Sequence, residues 1–258
     1  MEKLLHNLVT TWWGITIICV IGLILWLVLS ALLYRQFFKR FYDIVLSGLA
    51  VLVLSPILLI LIVLGAIKMK GNPFFTQLRP GKNEKIFKLV KFRTMTNAKD
   101  ENGNFLPDDK RLTKYGKILR STSLDELPEL FNIFVGHMSI VGPRPQLVRD
   151  MVFMTRAQRK RHSVKPGLSG LAQCNGRNNM SWEKKFEYDL KYIEEITFWK
   201  DILIIVKTIF KVFQRDGITE DGMATAADLG DYLLQKGDVS SEKYDELQNE
   251  AKEIMLTR

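Results

Sequence analysis

The chain is poor in cysteine and histidine, the residues that most often carry disulfides and metal sites. Its 258 residues include two cysteines and three histidines. Cys19 lies in an apolar run and Cys174 in a Gly- and Asn-rich loop, so they form no disulfide framework, and a reducing compartment is expected. The histidines are scattered without the spacing of a metal site. These shortages exclude a disulfide-stapled fold and a histidine-based metal centre.

Acidic residues are also scarce over most of the chain. Residues 1–215 carry 33 basic and 17 acidic side chains, whereas residues 216–258 carry 4 basic and 11 acidic ones. A basic body of this size favours polyanions such as nucleic acid, anionic lipid headgroups or nucleotide phosphates. No nucleic-acid recognition motif is present and the basic segments adjoin apolar runs, so nucleic acid is the disfavoured partner.

What the sequence does contain is two long uncharged runs near its N-terminus. As a helix, residues 8–34 would extend roughly 40 Å, longer than the ~30 Å hydrocarbon core of a bilayer. The cations Arg35, Lys39 and Arg40 follow the run. The positive-inside rule then predicts an N-terminus outside and a cytoplasmic chain from residue 35 onward. A cleaved signal peptide is disfavoured, because the run is too long and its positive charge comes after it.

The second run, residues 44–67, has Ser55-Pro56 at its middle. Proline removes a backbone donor and bends a helix, and the serine hydroxyl can bond a carbonyl that the bend exposes. Two interpretations remain open, a kinked spanning helix and a re-entrant helix-break-helix. Basic residues flank the run on both sides, and both flanks therefore prefer the same side of the membrane. This favours the re-entrant form.

The remaining segments predict a hairpin and several helices. Residues 74–78 and 85–95 suit a strand or hairpin on a half-buried surface, with a turn at Lys82-Asn83 between them, because Ile86, Leu89 and Phe92 alternate with lysines. Residues 112–136 hold two amphipathic stretches, which lie either in the headgroup plane or on a soluble core.

Two further segments are helical by pattern. Residues 182–214 predict helix with a break near Thr197, and residues 236–258 predict a capped helix that opens at Ser241. The apolar stripe of this last helix either binds a partner or packs on the body.

Asp125 and Glu126 are the most informative carboxylates. Ser123 and Glu126 have the spacing of a capping box, in which Ser123 is the N-cap and Glu126 reaches back to it. Acidic residues are common in first turns, so this pattern alone would be structural. The surrounding cations, Arg120, Lys91 and an Arg144 held between two prolines, favour a functional role instead.

A carboxylate among cations suits phosphoryl chemistry. It can attack phosphorus to give a covalent acyl phosphate, and a partner carboxylate can hold Mg²⁺ against a diphosphate. Arginines bind phosphate oxygens bidentately. We hypothesise that Asp125 is the nucleophile and that Glu126 is the Mg²⁺ ligand. Spacing alone does not decide which of the two residues has which role.

Four segments together resemble the bacterial sugar transferase family of monotopic phosphoglycosyl transferases. They are KRFYDIVLSGLAVLVLSPILLILIVL, PFFTQLRPGKNEKIFKLVKFRTM, RSTSLDELPELFNIFVGHMSIVGPRPQLV and KPGLSGLAQCNGRN. The resemblance covers roughly residues 37–225. It implies transfer of a sugar 1-phosphate from a UDP-sugar to undecaprenyl phosphate, with release of UMP, through an aspartyl phosphosugar and with a requirement for Mg²⁺.

The resemblance also implies residue roles. Asp125 matches the nucleophile and Glu126 its partner, both near Mg²⁺. The matching substrate-phosphate contacts are Arg120, Arg144, Lys91 and Arg177. Ser55-Pro56 matches the break of the re-entrant helix, Lys39 and Arg40 its headgroup anchors, and Asp201 a supporting acid. Two simpler readings stay open, in which Arg177 is a solvated loop residue and Asp201 caps the following helix.

The predicted fold is α+β and mostly helical, with a re-entrant membrane helix, interfacial helices, a small hairpin and an added N-terminal transmembrane helix. The expected units are a transmembrane helix (1–36), the re-entrant helix (37–70), a cytoplasmic catalytic domain (71–225) and a helical extension (226–258). The expected location is the bacterial inner membrane, with the catalytic domain facing the cytoplasm.

The resemblance also gives expectations for the sugar and for the partners of the chain. Two segments resemble the diacetylbacillosamine phosphotransferases of protein glycosylation. They are NGRNNMSWEKKFEYDL and GITEDGMATA. The alternatives are N-acetylglucosamine, N-acetylgalactosamine, galactose or glucose in polysaccharide assembly, and a non-catalytic membrane scaffold. Further partners to consider are inner-membrane lipid, a second copy of the chain and downstream glycosyltransferases.

Overall fold

The computed structural model describes residues 11–176, 180–214 and 228–257. The helices are α1 (Trp12–Leu32), α2 (Lys39–Lys68), α3 (Asp108–Arg111), α4 (Lys114–Ser121), α5 (Glu129–Val135), α6 (Val148–Met151), α7 (Arg156–Arg159), α8 (Leu171–Asn175), α9 (Trp182–Glu194), α10 (Phe198–Gln214), α11 (Leu229–Lys236) and α12 (Ser241–Leu256). The strands are β1 (Phe74–Pro80), β2 (Ile86–Phe92), β3 (Ser139–Val141) and β4 (Gly167–Ser169). Single π-helical or 3-10 turns occupy Tyr34–Phe38, Lys82–Glu84, Leu124–Glu126 and Lys160–Ser163. Helix makes up 65% of the structure, which confirms the mostly helical class.

The two N-terminal helices are long and apolar enough to cross a membrane. In α1 only Gly14 and Ser30 are buried, so its other side chains are open to the surroundings. The helix contacts the start of α2 through Tyr42, whose hydroxyl accepts from Trp26 Nε1 at 3.2 Å and lies 3.0 Å from Ser30 Oγ. An apolar surface of this extent needs lipid or another protein to cover it.

Helix α2 has Ser55-Pro56 inside it, and its helical hydrogen bonding continues on both sides of the position where the sequence predicts a bend. Pro56 has no N–H, which leaves the carbonyl of Leu52 without its usual helical donor. The Ser55 hydroxyl donates to that carbonyl at 2.8 Å, as the sequence predicts. The Ser55 side chain thus compensates for the backbone hydrogen bond that Pro56 removes.

Both halves of α2 pack on the rest of the protein. Near its start, the Asp43 carboxylate accepts from Ser139 Oγ at 3.0 Å and from the Ile140 N–H at 2.9 Å. Near its end, Leu61 is buried and its carbonyl accepts from the Tyr115 hydroxyl at 3.1 Å. Asp43 was not among the predicted residues. A lone acid just before an uncharged run of 24 residues was the available signal, because such a charge needs a specific partner.

The hairpin forms where the alternation predicts it. Strands β1 and β2 pair antiparallel from Phe74 opposite Phe92 to Pro80 opposite Ile86. Leu89 and Phe92 are buried as predicted. At the start of β2, however, Phe87 is buried and Ile86 is only half-buried, so Phe87 takes the inward position that was predicted for Ile86. The short parallel pair β3–β4 was not predicted, since each strand has only three residues.

The C-terminal helices also follow the predictions. A break at residues 195–197 separates α9 from α10, and α12 is capped by Ser240, one residue before the predicted start. The apolar stripe of α12 packs on the body, where Ala251 is buried and Tyr244 lies 5.5 Å from Phe153 between ring centroids. Of the two open readings for this helix, the structure supports packing on the body.

Candidate active site

The backbone around Asp125 differs from the predicted capping box. Ser123 adopts a left-handed conformation (φ 55°) and its side chain makes no capping hydrogen bond. One 3-10 turn follows, and Pro128 then precedes α5. The capping box, which the sequence offered as the structural alternative, is therefore not formed. The left-handed residue ends the helical path before Glu126 can reach back, which leaves the Glu126 carboxylate available for other partners.

Glu126 is the centre of a group of charges. Its Oε1 accepts from Lys91 Nζ at 2.8 Å and from Arg144 Nη2 at 2.7 Å. Burial alone would raise the pKa of Glu126, but Arg144 and Lys91 outweigh it and hold that pKa below its usual range. Glu126 is therefore ionised at neutral pH and fixes two cations beside its neighbour.

Asp125 is that neighbour, and its environment is different. Among the described residues, no side chain or backbone N–H donates a hydrogen bond to its carboxylate. Burial and the adjacent Glu126 charge raise the pKa of Asp125, while Lys91, Arg120 and Arg144 oppose the rise. A partly buried carboxylate with cations around it and no hydrogen bond to its oxygens has the properties of a nucleophile.

Glu129 is a third acidic member that the sequence analysis missed. Its Oε1 lies 3.0 Å from Lys91 Nζ, and the residue is 3% exposed. Burial raises the pKa of Glu129 to about 7 against the opposing effect of Lys91. Its position three residues after Glu126, on the same side of a turn, was the signal that could have found it.

The Glu129 carboxyl predicts a pH-dependent stability. Its folded-state pKa of about 7 lies above the usual 4.5, so the folded protein holds this proton more tightly than the unfolded chain. Wild type should lose stability relative to Glu129→Gln as the pH rises between these two values, with no further change above them. Thermal unfolding of both proteins in detergent measures the difference. A difference that stays constant through this window would contradict the assignment.

The other predicted cations divide between two places. The positive charge of Arg120 opposes the rise in the pKa of Asp125 that burial causes. The Arg120 Nε donates to Thr94 Oγ1 at 3.2 Å. Lys39 instead contacts Asp201 Oδ2 at 2.5 Å and the Val141 carbonyl at 2.9 Å. Lys39 therefore connects the start of α2 to Asp201 on α10 and to Val141 at the end of β3. Val141 lies three residues before Arg144.

Asp201 is buried within this second group. Its carboxylate accepts from the Tyr34 hydroxyl at 2.7 Å and from the Tyr192 hydroxyl at 2.9 Å. Helix α10 begins at Phe198, and the Asp201 carboxylate serves side chains rather than the N-terminus of that helix. Its contacts join the junction of α1 and α2 to α9 and α10.

Arg40 makes a different contact. Its two terminal nitrogens donate to the carbonyls of Ile133 and Phe134 at 2.7 and 2.8 Å, at the C-terminal end of α5. A guanidinium suits this position because helix C-termini expose unpaired carbonyls. Arg177 lies outside the described residues.

The acidic side chains fit Mg²⁺ only with help from a substrate. Among the described residues, no group of three or more His, Cys, Asp or Glu side chains could hold a metal ion alone. Mg²⁺ commonly uses one or two carboxylates, with phosphate and water oxygens completing its shell. Asp125 and Glu126 match that pattern, because Asp125 has no hydrogen-bond donor among the described residues and both cations on Glu126 contact a single oxygen.

Comparison with known proteins identifies the class. The sequence model of the bacterial sugar transferase family matches residues 34–215, and the chain belongs to that family. It is 44% identical over 203 residues to the uncharacterized sugar transferase EpsL of Bacillus subtilis, covering 79% of this chain and 98% of that protein.

Two longer relatives have named substrates. The chain is 43% identical over 186 residues to the UDP-glucose:undecaprenyl-phosphate glucose-1-phosphate transferase of Klebsiella pneumoniae, covering 68% of this chain and 40% of that protein. It is 37% identical over 186 residues to the galactosyl transferase CpsE of Streptococcus agalactiae, covering 66% of this chain and 41% of that protein. The chain thus spans about two fifths of these two relatives.

Proposed function

We propose that the protein is a polyprenyl-phosphate phosphoglycosyl transferase, which moves a sugar 1-phosphate from a UDP-sugar to undecaprenyl phosphate and releases UMP. The observation that carries the proposal is the Asp125 carboxylate. It accepts no hydrogen bond from the described residues, and the positive charges of Lys91, Arg120 and Arg144 act on it and oppose the rise in its pKa that burial causes. Membership of the bacterial sugar transferase family supports the same reaction.

In the first step an Asp125 oxygen attacks the phosphorus that bears the sugar. A bond forms between this oxygen and phosphorus, and the bond from phosphorus to the bridging oxygen breaks, so that UMP leaves. Dividing one displacement into two easier ones is the advantage of a covalent intermediate. In the second step an oxygen of undecaprenyl phosphate attacks the same phosphorus, which restores the Asp125 carboxylate and gives the lipid diphosphate sugar.

The charges around Asp125 have separate tasks. Glu126 holds Lys91 and Arg144 in place through a single oxygen. The two cations, with Arg120, can stabilise the negative charge of the diphosphate as the bonds change. Mg²⁺ held by Glu126 with Asp125 beside it would supply further neutralisation of the phosphate oxygens.

The relatives favour a hexose as the sugar. Those with named substrates include UDP-glucose and galactosyl transferases. They support the alternative prediction, a glucose, galactose, N-acetylglucosamine or N-acetylgalactosamine donor in polysaccharide assembly, over diacetylbacillosamine, and they favour the first two of these sugars. The proposed donor is therefore UDP-glucose or UDP-galactose.

Release of UMP from purified protein tests this function. The assay contains undecaprenyl phosphate, Mg²⁺ and one UDP-sugar at a time, from glucose, galactose, N-acetylglucosamine, N-acetylgalactosamine and diacetylbacillosamine donors. Release with the glucose or galactose donor is expected. Release with the diacetylbacillosamine donor alone would overturn the sugar, and no release with any donor from folded protein would overturn the function.

A re-entrant path for α2 forms part of the proposal. Lys39 at its start contacts Asp201 and Val141, and Leu61 near its end contacts Tyr115. If α2 spanned the bilayer, these two ends would lie on opposite sides, yet both contact the same polar body. Entering and leaving through the cytoplasmic leaflet of the inner membrane satisfies both contacts and the basic flanks.

Exposed apolar side chains next to α2 support an interfacial position for the body. Helix α5 exposes Phe131, Phe134 and Val135, and α10 exposes Trp199 and Phe210. Their opposite faces are buried, as Ile133 and Ile204 show. Each helix therefore packs on the core with one side and can insert into the headgroup region with the other.

Cysteine labelling tests the path. Phe37 shortly before α2, Lys68 at the end of α2 and Trp12 at the start of α1 are all exposed. In inverted vesicles, cysteines at positions 37 and 68 should both react with a membrane-impermeant reagent, because both lie on the cytoplasmic side. A cysteine at position 12 should be protected, since α1 is proposed to span. Protection of position 68 alone would make α2 a spanning helix.

A further inference from the structure

The turn that carries Arg144 is held through its backbone carbonyls. Prolines on both sides of Arg144 have no N–H, so hydrogen bonds to this turn must come from outside donors. The Pro143 carbonyl accepts from the Gly167 N–H at 3.0 Å, and the Arg144 carbonyl accepts from Arg161 Nη2 at 2.7 Å. The Pro145 carbonyl accepts from Arg79 Nη1 at 3.1 Å. Three consecutive carbonyls are thus bound by three separate elements.

The base of the turn is also tightly packed. Strands β3 and β4 approach so closely that a Cβ on Gly167 would lie 2.0 Å from the Gly142 nitrogen. No side chain larger than hydrogen fits there without moving the backbone. The turn therefore starts from a rigid base.

Arg161 is the less exposed of the two side-chain donors. Its side chain is 1% exposed, and its Nε and Nη2 donate to Asp189 Oδ2 at 2.9 and 2.6 Å. A buried ion pair is weak evidence for stability, because desolvation offsets much of its attraction. The same Nη2 that contacts Asp189 also reaches the Arg144 carbonyl. Through this shared contact the ion pair sets the position of the Arg144 carbonyl.

We propose that Arg161, oriented by Asp189, is a positioning residue for the transfer reaction, because it fixes the Arg144 backbone so that the Arg144 side chain reaches Glu126 and the substrate phosphate. The proposal rests on the proposed function. The Arg144 side chain is 45% exposed, so little besides its backbone and its 2.7 Å contact with Glu126 sets its direction. A displacement of the turn would misplace the guanidinium without removing it.

Arg161→Lys is the main test, because it keeps a charge for Asp189 while losing the planar fork that serves two acceptors. We expect UMP release to fall by about 10- to 100-fold, the size of effect that a misplacement of ~1 Å produces. In an Arg144→Lys background the same change should cost less than about threefold, since residues that act through one another are not additive. Arg159→Lys, two residues away and paired with Glu84, is the matched control and should leave the rate unchanged.

A second variant covers a failure of Arg161→Lys to fold. The double change Arg161→Gln with Asp189→Asn leaves no unpaired buried charge, so it should fold and still show the rate loss. Rates near wild type in both variants would overturn the proposal, as would equal losses in the wild-type and Arg144→Lys backgrounds. In those cases an active wild type would leave the proposed function standing. A wild type that releases no UMP with any donor would overturn that function, and the positioning role with it.

Discussion

Replacement of Asp125 by Asn is expected to lower UMP release by about 10³-fold or more, the scale seen when a nucleophile is removed. An amide oxygen does not displace UMP from phosphorus, so the covalent step is lost. The fold should be preserved, because the described residues donate no hydrogen bond to Asp125 that the change would break. Removal of its charge also relieves repulsion from Glu126. Unfolding temperature and membrane attachment should therefore match wild type.

The control for this variant is Asp109→Asn. Asp109 is an exposed acid in the first turn of the short helix α3, outside the group of charges around Glu126. It should retain wild-type turnover. An Asp125→Asn protein that keeps a tenth or more of the wild-type rate would contradict the assignment of Asp125 as nucleophile.

Replacement of Lys91 by Met is expected to cost both stability and activity. Lys91 Nζ contacts Glu126 at 2.8 Å and Glu129 at 3.0 Å, and all three side chains are largely shielded from solvent. Glu126 would keep Arg144, but Glu129 would lose its cation. Breaking a buried pair in this way costs about 3 kcal/mol. The loss should be greatest above the Glu129 pKa of about 7, where that carboxyl is ionised.

A second change separates the two effects. Adding Glu129→Gln to Lys91→Met removes the unpaired carboxylate, so the unfolding temperature should recover while UMP release stays low. The activity does not return because the substrate still lacks the Lys91 cation. Lys88→Met on the same strand, where the side chain is exposed, is the matched control and should change neither property. Equal stability of the Lys91→Met and Lys88→Met proteins would contradict the electrostatic account.

The sequence predicted those elements whose pattern is local. The hairpin follows from alternation, and the break between α9 and α10 falls at residues 195–197, close to the predicted Thr197. The Ser55 hydroxyl bonds the carbonyl left by Pro56 because both partners lie within one helical turn. In each case the determining contacts join residues close in sequence or follow from a simple repeat.

The predictions that failed depend on long-range contacts or on one backbone angle. The capping box at Ser123 is not formed, and the left-handed φ of 55° that prevents it has no clear signal in the sequence. Glu129 looked like one polar residue of an amphipathic helix, and only Lys91, on a strand 38 positions earlier, shows its role. Arg161 was missed for the same reason, since Asp189 lies far from it in sequence.

Intact mass of the protein after incubation with the donor tests the central claim most directly. Wild type is incubated with UDP-sugar and Mg²⁺ without undecaprenyl phosphate, so that the second step cannot occur. The account predicts a gain of one sugar phosphate, located by peptide analysis on Asp125, together with UMP in equal amount. Addition of undecaprenyl phosphate should remove the adduct. An unmodified protein that releases UMP only when the lipid is present would contradict the covalent mechanism and indicate direct transfer.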